Sequence, residues 1–463
     1  MIFEMKAHNI RKVSFNTMQI IAFSFLGVIL LGGFLLWLPV SNHTPIAFTD
    51  ALFTSVSAVC VTGLVTITPA QQFTVIGKGI LFVLIQIGGL GVIACTVAFF
   101  LIIKKRITMK ERIVIQQTYS LDTLSGMVQF IIRILKGTFF VEGIGAFLYA
   151  FKFVPQFGWV KGICFSIFHS VSAFCNAGID ILGSTSYMEY VKSPLISYTT
   201  MFLIIMGGLG FTVWHDLYTN TQEVFKNHQP KERLFTRLQV HSKLVLCMTA
   251  TLIIIGMLGF FLLEYNNPMT IGNLSFGEKI MASNFQSVTT RTAGFSNISQ
   301  NSLTPGSKLL ACILMFIGGS PAGTAGGVKT TTAAMLVLTC IGVLKGKKDT
   351  EVFNRKIESE TVRSGIAILT MTSVVWLSGV VALTILEPQQ DFMKLMYEVT
   401  SALATVGLSA DLTSNLCRAS QYVLMIVMYA GRIGPVTMAL VFAGKAKSYE
   451  KYRELPVAKL ILG

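Results

Sequence analysis

Four short stretches end in glycine at near-equal intervals: Cys60-Val61-Thr62-Gly63, Cys175-Asn176-Ala177-Gly178, Arg291-Thr292-Ala293-Gly294 and Ala404-Thr405-Val406-Gly407. The glycines lie 115, 116 and 113 residues apart. The chemistry such stretches can do is ion coordination by backbone. A dehydrated cation needs oxygen dipoles in place of its water, and carbonyls supply them without a fixed charge, so the ion is held weakly enough to leave. Glycine lacks Cβ and lets consecutive carbonyls turn toward one axis. None of the four stretches holds a carboxylate, as a calcium site would, so monovalent cations are expected. Four copies suffice to close a ring.

A serine precedes the glycine by six residues in three copies (Ser57, Ser172, Ser401), and Ser287 by seven in the third. Arg291 falls inside the third stretch. Its side chain is expected behind the filter, paired with an acidic residue such as Glu278.

A second glycine mark follows each stretch by 24 to 29 residues. In the first two copies, Gly88-Gly-Leu-Gly91 and Gly207-Gly-Leu-Gly210, small residues that let helices approach closely explain it. The third copy holds Gly318, Gly319, Ser320, Pro321, Ala322, Gly323, Gly326, Gly327 and Lys329 within twelve residues. No continuous helix survives five glycines and a proline, so a mid-membrane break beneath the filter is expected, a candidate gate. The fourth copy reads Gly431-Arg432-Ile-Gly-Pro435. A charge at that depth costs about 2.5–3.5 kcal/mol on insertion scales. Arg432 either faces the pore and repels cations, or forms a buried ion pair, with Glu142 as a possible partner. Lys329 is a weaker case of the same kind, and Arg133, Lys136 and His169 are expected to snorkel or pack.

The elements that must position these residues follow from the composition. The chain is 52% hydrophobic and 13% charged, against about 25% charged in soluble domains. Eight apolar stretches reach the roughly 20 residues that span a bilayer: 18–37, 80–103, 128–151, 195–214, 244–263, 309–341, 365–386 and 422–443. Between the members of each pair a shorter apolar piece runs into a glycine stretch: 51–61, 162–175, 280–288 and 392–403. Each unit reads as long helix, half helix, glycine loop, long helix. Non-helical backbone at membrane depth is tolerated only where it is buried or lines a wet cavity, and four such loops most simply share one. The expected fold is an all-α polytopic membrane protein with eight spanning helices. Its four pseudo-repeats surround a central pore, bounded at 1–113, 114–240, 241–360 and 361–463.

The net charge of +15 is unevenly placed. The N-terminus, the inter-repeat segments and the C-terminus hold 26 of the 37 Lys and Arg residues. By the positive-inside rule this side, with both termini, is cytoplasmic. Basic juxtamembrane loops are routine, so nucleic acid is not an expected partner; the lipid bilayer is. Met1–Asn16 is polar and basic and carries no cleavable signal peptide pattern. The eight cysteines lack CxxC or Cys/His spacing and read as small hydrophobes. No GxxxxGK[ST], GxSxG or HExxH occurs, so no enzyme activity is expected.

Val61-Thr-Gly63-Leu, Thr290-Arg-Thr-Ala-Gly294-Phe, the break at 318–329 and Gly431-Arg-Ile-Gly-Pro435 together resemble the Trk/Ktr/HKT superfamily of potassium transporters. The likeness covers nearly the whole chain and is nearest the membrane subunit of bacterial Ktr systems. It implies potassium uptake, often sodium-stimulated, across the bacterial cytoplasmic membrane. Gly63, Gly178, Gly294 and Gly407 would be filter glycines, segment 318–329 the gating loop and Arg432 the pore-facing charge. It also implies a homodimer on a cytoplasmic ring of nucleotide-binding, RCK-type (KtrA-like) subunits, which would take the ATP or ADP. Glycine at position 63, where serine accompanies sodium transport in plant-type relatives, favours potassium. A sodium-selective channel of the same fold is the nearest rival.

Overall fold

A computed structural model describes residues 17–103, 112, 116, 126–183, 185–226, 233–434, 437 and 438. The basic N-terminal segment, most of the 104–125 segment, Pro435 and the C-terminal tail lie outside the described residues. The charge-based orientation therefore rests on sequence.

Among the described residues the chain is helical, with one hairpin of two-residue strands, Glu351–Val352 against Arg355–Lys356. Each repeat opens with a long first helix: Thr17–Trp37, Met127–Phe157, Val240–Glu264 and Ser359–Leu386. A pore helix follows: Phe48–Val59, Trp159–Phe174, Phe276–Thr289 and Phe392–Leu403. These start at local signals. Ser275 and Glu278 form a capping box on the third, and the Asp391 side chain accepts from Met393 N on the fourth, each satisfying an orphan N–H.

Packing is cyclic. Each pore helix lies on the first helix of its own repeat. Each second helix also packs on the next repeat's pore helix: 1 on 2, 2 on 3, 3 on 4 and 4 on 1. The closing seam is fastened by an ion pair. Arg418, at the start of the last second helix, reaches both oxygens of Asp50 at 2.6 and 3.0 Å.

Burial is inverted relative to a soluble protein. Thr54, Ser55, Ser57, Ser170, Ser172, Ser287 and Ser401 are buried on the pore helices, while Phe23, Leu30, Leu31 and Phe34 face outward from the first helix. Outward apolar faces suit lipid, which cannot satisfy polar groups.

The expected second helices are not continuous. Val75–Leu90 and Val92–Leu101 meet at 103°, and Pro194–Gly208 and Phe211–Val224 at 94°. Close approach by small residues was therefore only part of the story in repeats 1 and 2. Gly91 (φ 87°) and Gly210 (φ 92°) adopt left-handed backbone that ends the helix. Pro305–Phe316 stops before the expected break and the chain resumes at Thr330–Leu344; Arg418–Ile433 ends at Gly434, φ 94°. Among the described residues, the second helices of repeats 1, 2 and 4 end at a left-handed glycine or just before one, and that of repeat 3 at Phe316. Of the eight expected spans, three are single apolar helices and two are bent pairs; Met127–Phe157 is long enough but carries Arg133, Lys136, Glu142 and Lys152.

Candidate functional site

The four pore helices end at Cys60, Cys175, Thr290 and Ala404, each still right-handed. The residue two before each glycine is then left-handed: Val61 (φ 56°), Asn176 (59°), Thr292 (63°) and Thr405 (52°). The glycines follow with φ of 97°, 64°, 81° and 94°. Such backbone costs about 1–3 kcal/mol per non-glycine residue and persists only where the surroundings impose it. For the β-branched Val61, Thr292 and Thr405 it is a genuine outlier.

The four glycines meet. An added Cβ at Gly63 would fall 2.5 Å from Ala177 O, at Gly178 2.6 Å from Ala293 O, and at Gly294 2.5 Å from Val406 O. At Gly407 it would strike Thr62 O. Each glycine thus faces the carbonyl before the next repeat's glycine, in the order 1, 2, 3, 4, 1. Four helix C-termini also point at this ring, each contributing roughly half a negative charge.

Hydroxyls hold the stretches in place. Ser57 Oγ accepts from Gly63 N at 2.9 Å and Ser401 Oγ from Gly407 N at 3.0 Å; Ser172 Oγ donates to Ile179 O at 2.6 Å. In repeat 3 the equivalent hydroxyl is Thr289, which donates to Phe295 O at 2.6 Å, not Ser287. Ser287 instead matches Ser55 and Ser170: these three donate to Ile253 O, Ile29 O and Glu142 O of their own first helices. Ser287 lies seven residues before its glycine, whereas Ser55 and Ser170 lie eight before theirs, which explains the imperfect serine spacing.

Those serines sit on a glycine register that sequence reasoning missed. An added Cβ at Gly32, Gly145 or Gly256 would strike Ser55, Ser170 or Ser287 Oγ, and at Gly379 it would strike Val399. The signal was a glycine three residues after each accepting carbonyl, hidden among the many glycines of membrane helices.

The outward-leading segments are anchored from the same helices. His169 Nε2 accepts from Ile181 N, Gln286 bonds Gln300, and Glu398 accepts from Ala410 N and the Ser409 and Thr413 hydroxyls. His169, expected only to pack, is an anchor. Above the ring a cavity of about 170 Å³ is lined by Gly63, Gly178, Gly294, Gly407, Asp180 and Asp411. Burial pushes the Asp180 carboxyl up to about 6, against the pull of the Leu182 and Gly183 N–H groups and the Ser186 side chain.

Arg291 does point away from the ring, and its guanidinium donates to Thr249 Oγ1 at 3.3 Å on the first helix. Its expected partner Glu278 is engaged at the N-terminus of the pore helix, accepting from Ser275 N at 2.9 Å.

Beneath the ring the loop from Ile317 to Lys329 crosses to the other repeats. Ile317 and Val328 pair in parallel, with Gly318 N donating to Val328 O and Val328 N to Phe316 O, both at 3.0 Å. Ser320 N and Thr324 N donate to Gly208 O and Gly207 O, and Phe211 N to Ala322 O. The loop fills the break of repeat 2. Gly326 packs on Thr405, leaving no room for a Cβ. Lys329 Nζ donates to Ala325 O at 2.6 Å and Ser320 Oγ lies 2.9 Å from Thr330 Oγ1. Arg432 donates to Thr324 O and to Gly88 O of repeat 1. Glu142, offered as its partner, accepts from Gln86 Nε2 at 3.3 Å.

Residues 1–452 match the model of the TrkH family, described as cation transport protein. Ktr system potassium uptake protein B of Bacillus subtilis (strain 168) is 38% identical over 443 residues, 96% of both chains. Potassium/sodium uptake protein NtpJ of Enterococcus hirae is 37% identical over 453 residues, 97% of both. The crystal structure of the potassium transporter TrkH from Vibrio parahaemolyticus shares the fold. Its TM-score is 0.72 at 17% identity, covering 94% of this chain and 86% of that one. The family model matched over residues 1–452, together with relatives 38% and 37% identical over 96–97% of the chain, places this polytopic membrane chain in the TrkH family of cation transport proteins.

Proposed function

We propose that this chain is the pore-forming membrane subunit of a bacterial potassium-uptake system. The observation that carries the reading is the ring: each filter glycine faces a carbonyl of the next repeat. Cys60–Gly63, Cys175–Gly178, Arg291–Gly294 and Ala404–Gly407 would strip and hold the cation by their carbonyls, one repeat from each of 1–113, 114–240, 241–360 and 361–463. The names of the relatives support potassium as cargo.

The loop 318–329, with Lys329, and Arg432 would form the gate, since they lie directly beneath the ring and are tied across all four repeats. The relatives that belong to a Ktr system support a regulatory partner. We assign that role to a cytoplasmic RCK-type ring that binds ATP or ADP and seats a homodimer of this chain. Both termini would be cytoplasmic, and sodium would stimulate uptake.

A second reading, sodium as an alternative cargo, is favoured by the relative named for potassium and sodium uptake. Growth of a potassium-uptake-deficient bacterium at low external potassium separates the two. Rescue, strengthened by a co-expressed regulatory subunit, is expected; failure with the protein shown in the membrane contradicts the potassium reading.

A further inference from the structure

The seam between repeats 3 and 4 holds a cavity of about 590 Å³. One wall is both halves of the interrupted second helix, with Leu309, Ile313 and Ala333. The other is the first helix of repeat 4, with Trp376 and Leu377. Its inner end is formed by Ile317 and Val328, the paired residues at the neck of the crossing loop, and by Met396 and Thr400 of the fourth pore helix.

The chemistry of the lining selects the occupant. The Trp376 Nε1–H donates to Thr400 Oγ1 at 2.8 Å, and the Ser373 hydroxyl and Cys312 thiol are the other polar side-chain groups in an otherwise apolar lining. Water in such a space would find few partners, and a buried water needs about two to four. An empty void of this size would forfeit dispersion contacts along its whole lining. The opening is rimmed by Leu309, Ile313 and Leu377, 48%, 52% and 57% exposed. These belong to the same outward apolar faces that meet the bilayer, so the cavity is continuous with the lipid phase.

We propose that the cavity is a lipid site that takes one acyl chain from the surrounding bilayer, against Trp376 and the Ile317–Val328 neck. An acyl chain seated there touches both ends of the crossing loop. Its control over flux rests on the gating reading above; its binding does not.

The test uses the full chain reconstituted in liposomes, with Trp376 kept as the only tryptophan by Trp37→Phe, Trp159→Phe and Trp214→Phe. Fluorescence is read in phosphatidylcholine carrying a brominated acyl chain and in the unbrominated lipid. Bromine should quench Trp376, and Ala333→Phe, which occupies the cavity, should remove at least half of that quenching. Leu369→Phe fills the same space from the opposite wall and serves if Ala333→Phe does not fold. Quenching unchanged by a folded filling variant overturns the proposal. So does efficient chain-to-chain cross-linking of Ile313→Cys in membranes, which would show a second copy covering the opening. Altered flux without altered quenching would leave the lipid site refuted and the gating reading standing.

Discussion

Arg432 of repeat 4 donates to the carbonyl oxygen of Thr324 in repeat 3, and its other terminal nitrogen reaches Gly88 O in repeat 1. One side chain therefore ties the crossing loop to two other breaks directly beneath the glycine ring. Charge-assisted hydrogen bonds to these carbonyls offset the desolvation of the guanidinium. If the loop obstructs the pore, this clamp holds it shut. Arg432→Ala should raise rubidium efflux from liposomes in the absence of any regulatory subunit, and Arg432→Lys should raise it less. Lower efflux from a natively folded Arg432→Ala protein would make the residue part of the conduction path instead.

Gly294 stands with φ 81° and no space for a Cβ beside Val406 O. Gly294→Ser must move that carbonyl at a cost of about 1–3 kcal/mol, a factor of about ten for each 1.4 kcal/mol. Potassium affinity or potassium-over-sodium preference in uptake assays should fall by about tenfold. Unchanged kinetics for both ions would remove Gly294 from the filter.

The seat of the third pore helix predicts a stability effect with an internal control. Gly256→Ala should strike Ser287 Oγ and destabilise by about 1–3 kcal/mol, as overpacking does. Ser287→Ala loses its bond to Ile253 O, worth about 1 kcal/mol. Because the two residues touch, the double variant should be more stable than the sum of the singles implies. Additive thermal shifts in detergent would refute the seat.

The latch across the closing seam is testable in the same assay. Asp50 is buried while Arg418 is half exposed, with side-chain exposures of 12% and 53%. Arg418→Ala leaves Asp50 with Thr66 Oγ1 as its remaining described partner, at a cost of about 1–3 kcal/mol for a charged hydrogen bond. A melting temperature equal to wild type would show that the ring closes without it.

Above the ring, Asp180 is neutral below its pKa of about 6 and charged above it. Negative charge at a pore mouth concentrates cations. The apparent KM for potassium should therefore rise as external pH falls through about 6, and Asp180→Asn should show the raised KM at every pH. A wild-type pH profile in Asp180→Asn would place the titrating group elsewhere.

Periodicity made the repeats legible. The interval of the four glycines, the short apolar piece before each and the proline-bearing break at 318–329 all fall where the structure puts pore helices, glycine ring and crossing loop. Contacts between distant elements were not legible. The bends at Gly91 and Gly210 looked like ordinary packing glycines, because left-handed backbone leaves no mark beyond the residue type itself. An acidic partner was expected for Arg291 and was one of two alternatives for Arg432, yet Arg291 donates to a hydroxyl and Arg432 to two carbonyls. The seat serine of repeat 3 lies one residue nearer its glycine than Ser55 or Ser170, which misaligned Ser287, and only the bond from Thr289 to Phe295 O restores the register.

The ring itself is tested most directly by rubidium uptake into liposomes holding the purified chain, with potassium or sodium as competitor. Potassium should block uptake at far lower concentration than sodium, and Gly63→Ser and Gly294→Ser should each narrow that gap. Equal competition by the two ions in the wild-type chain, or a gap untouched by both substitutions, would contradict a potassium filter built from these glycines.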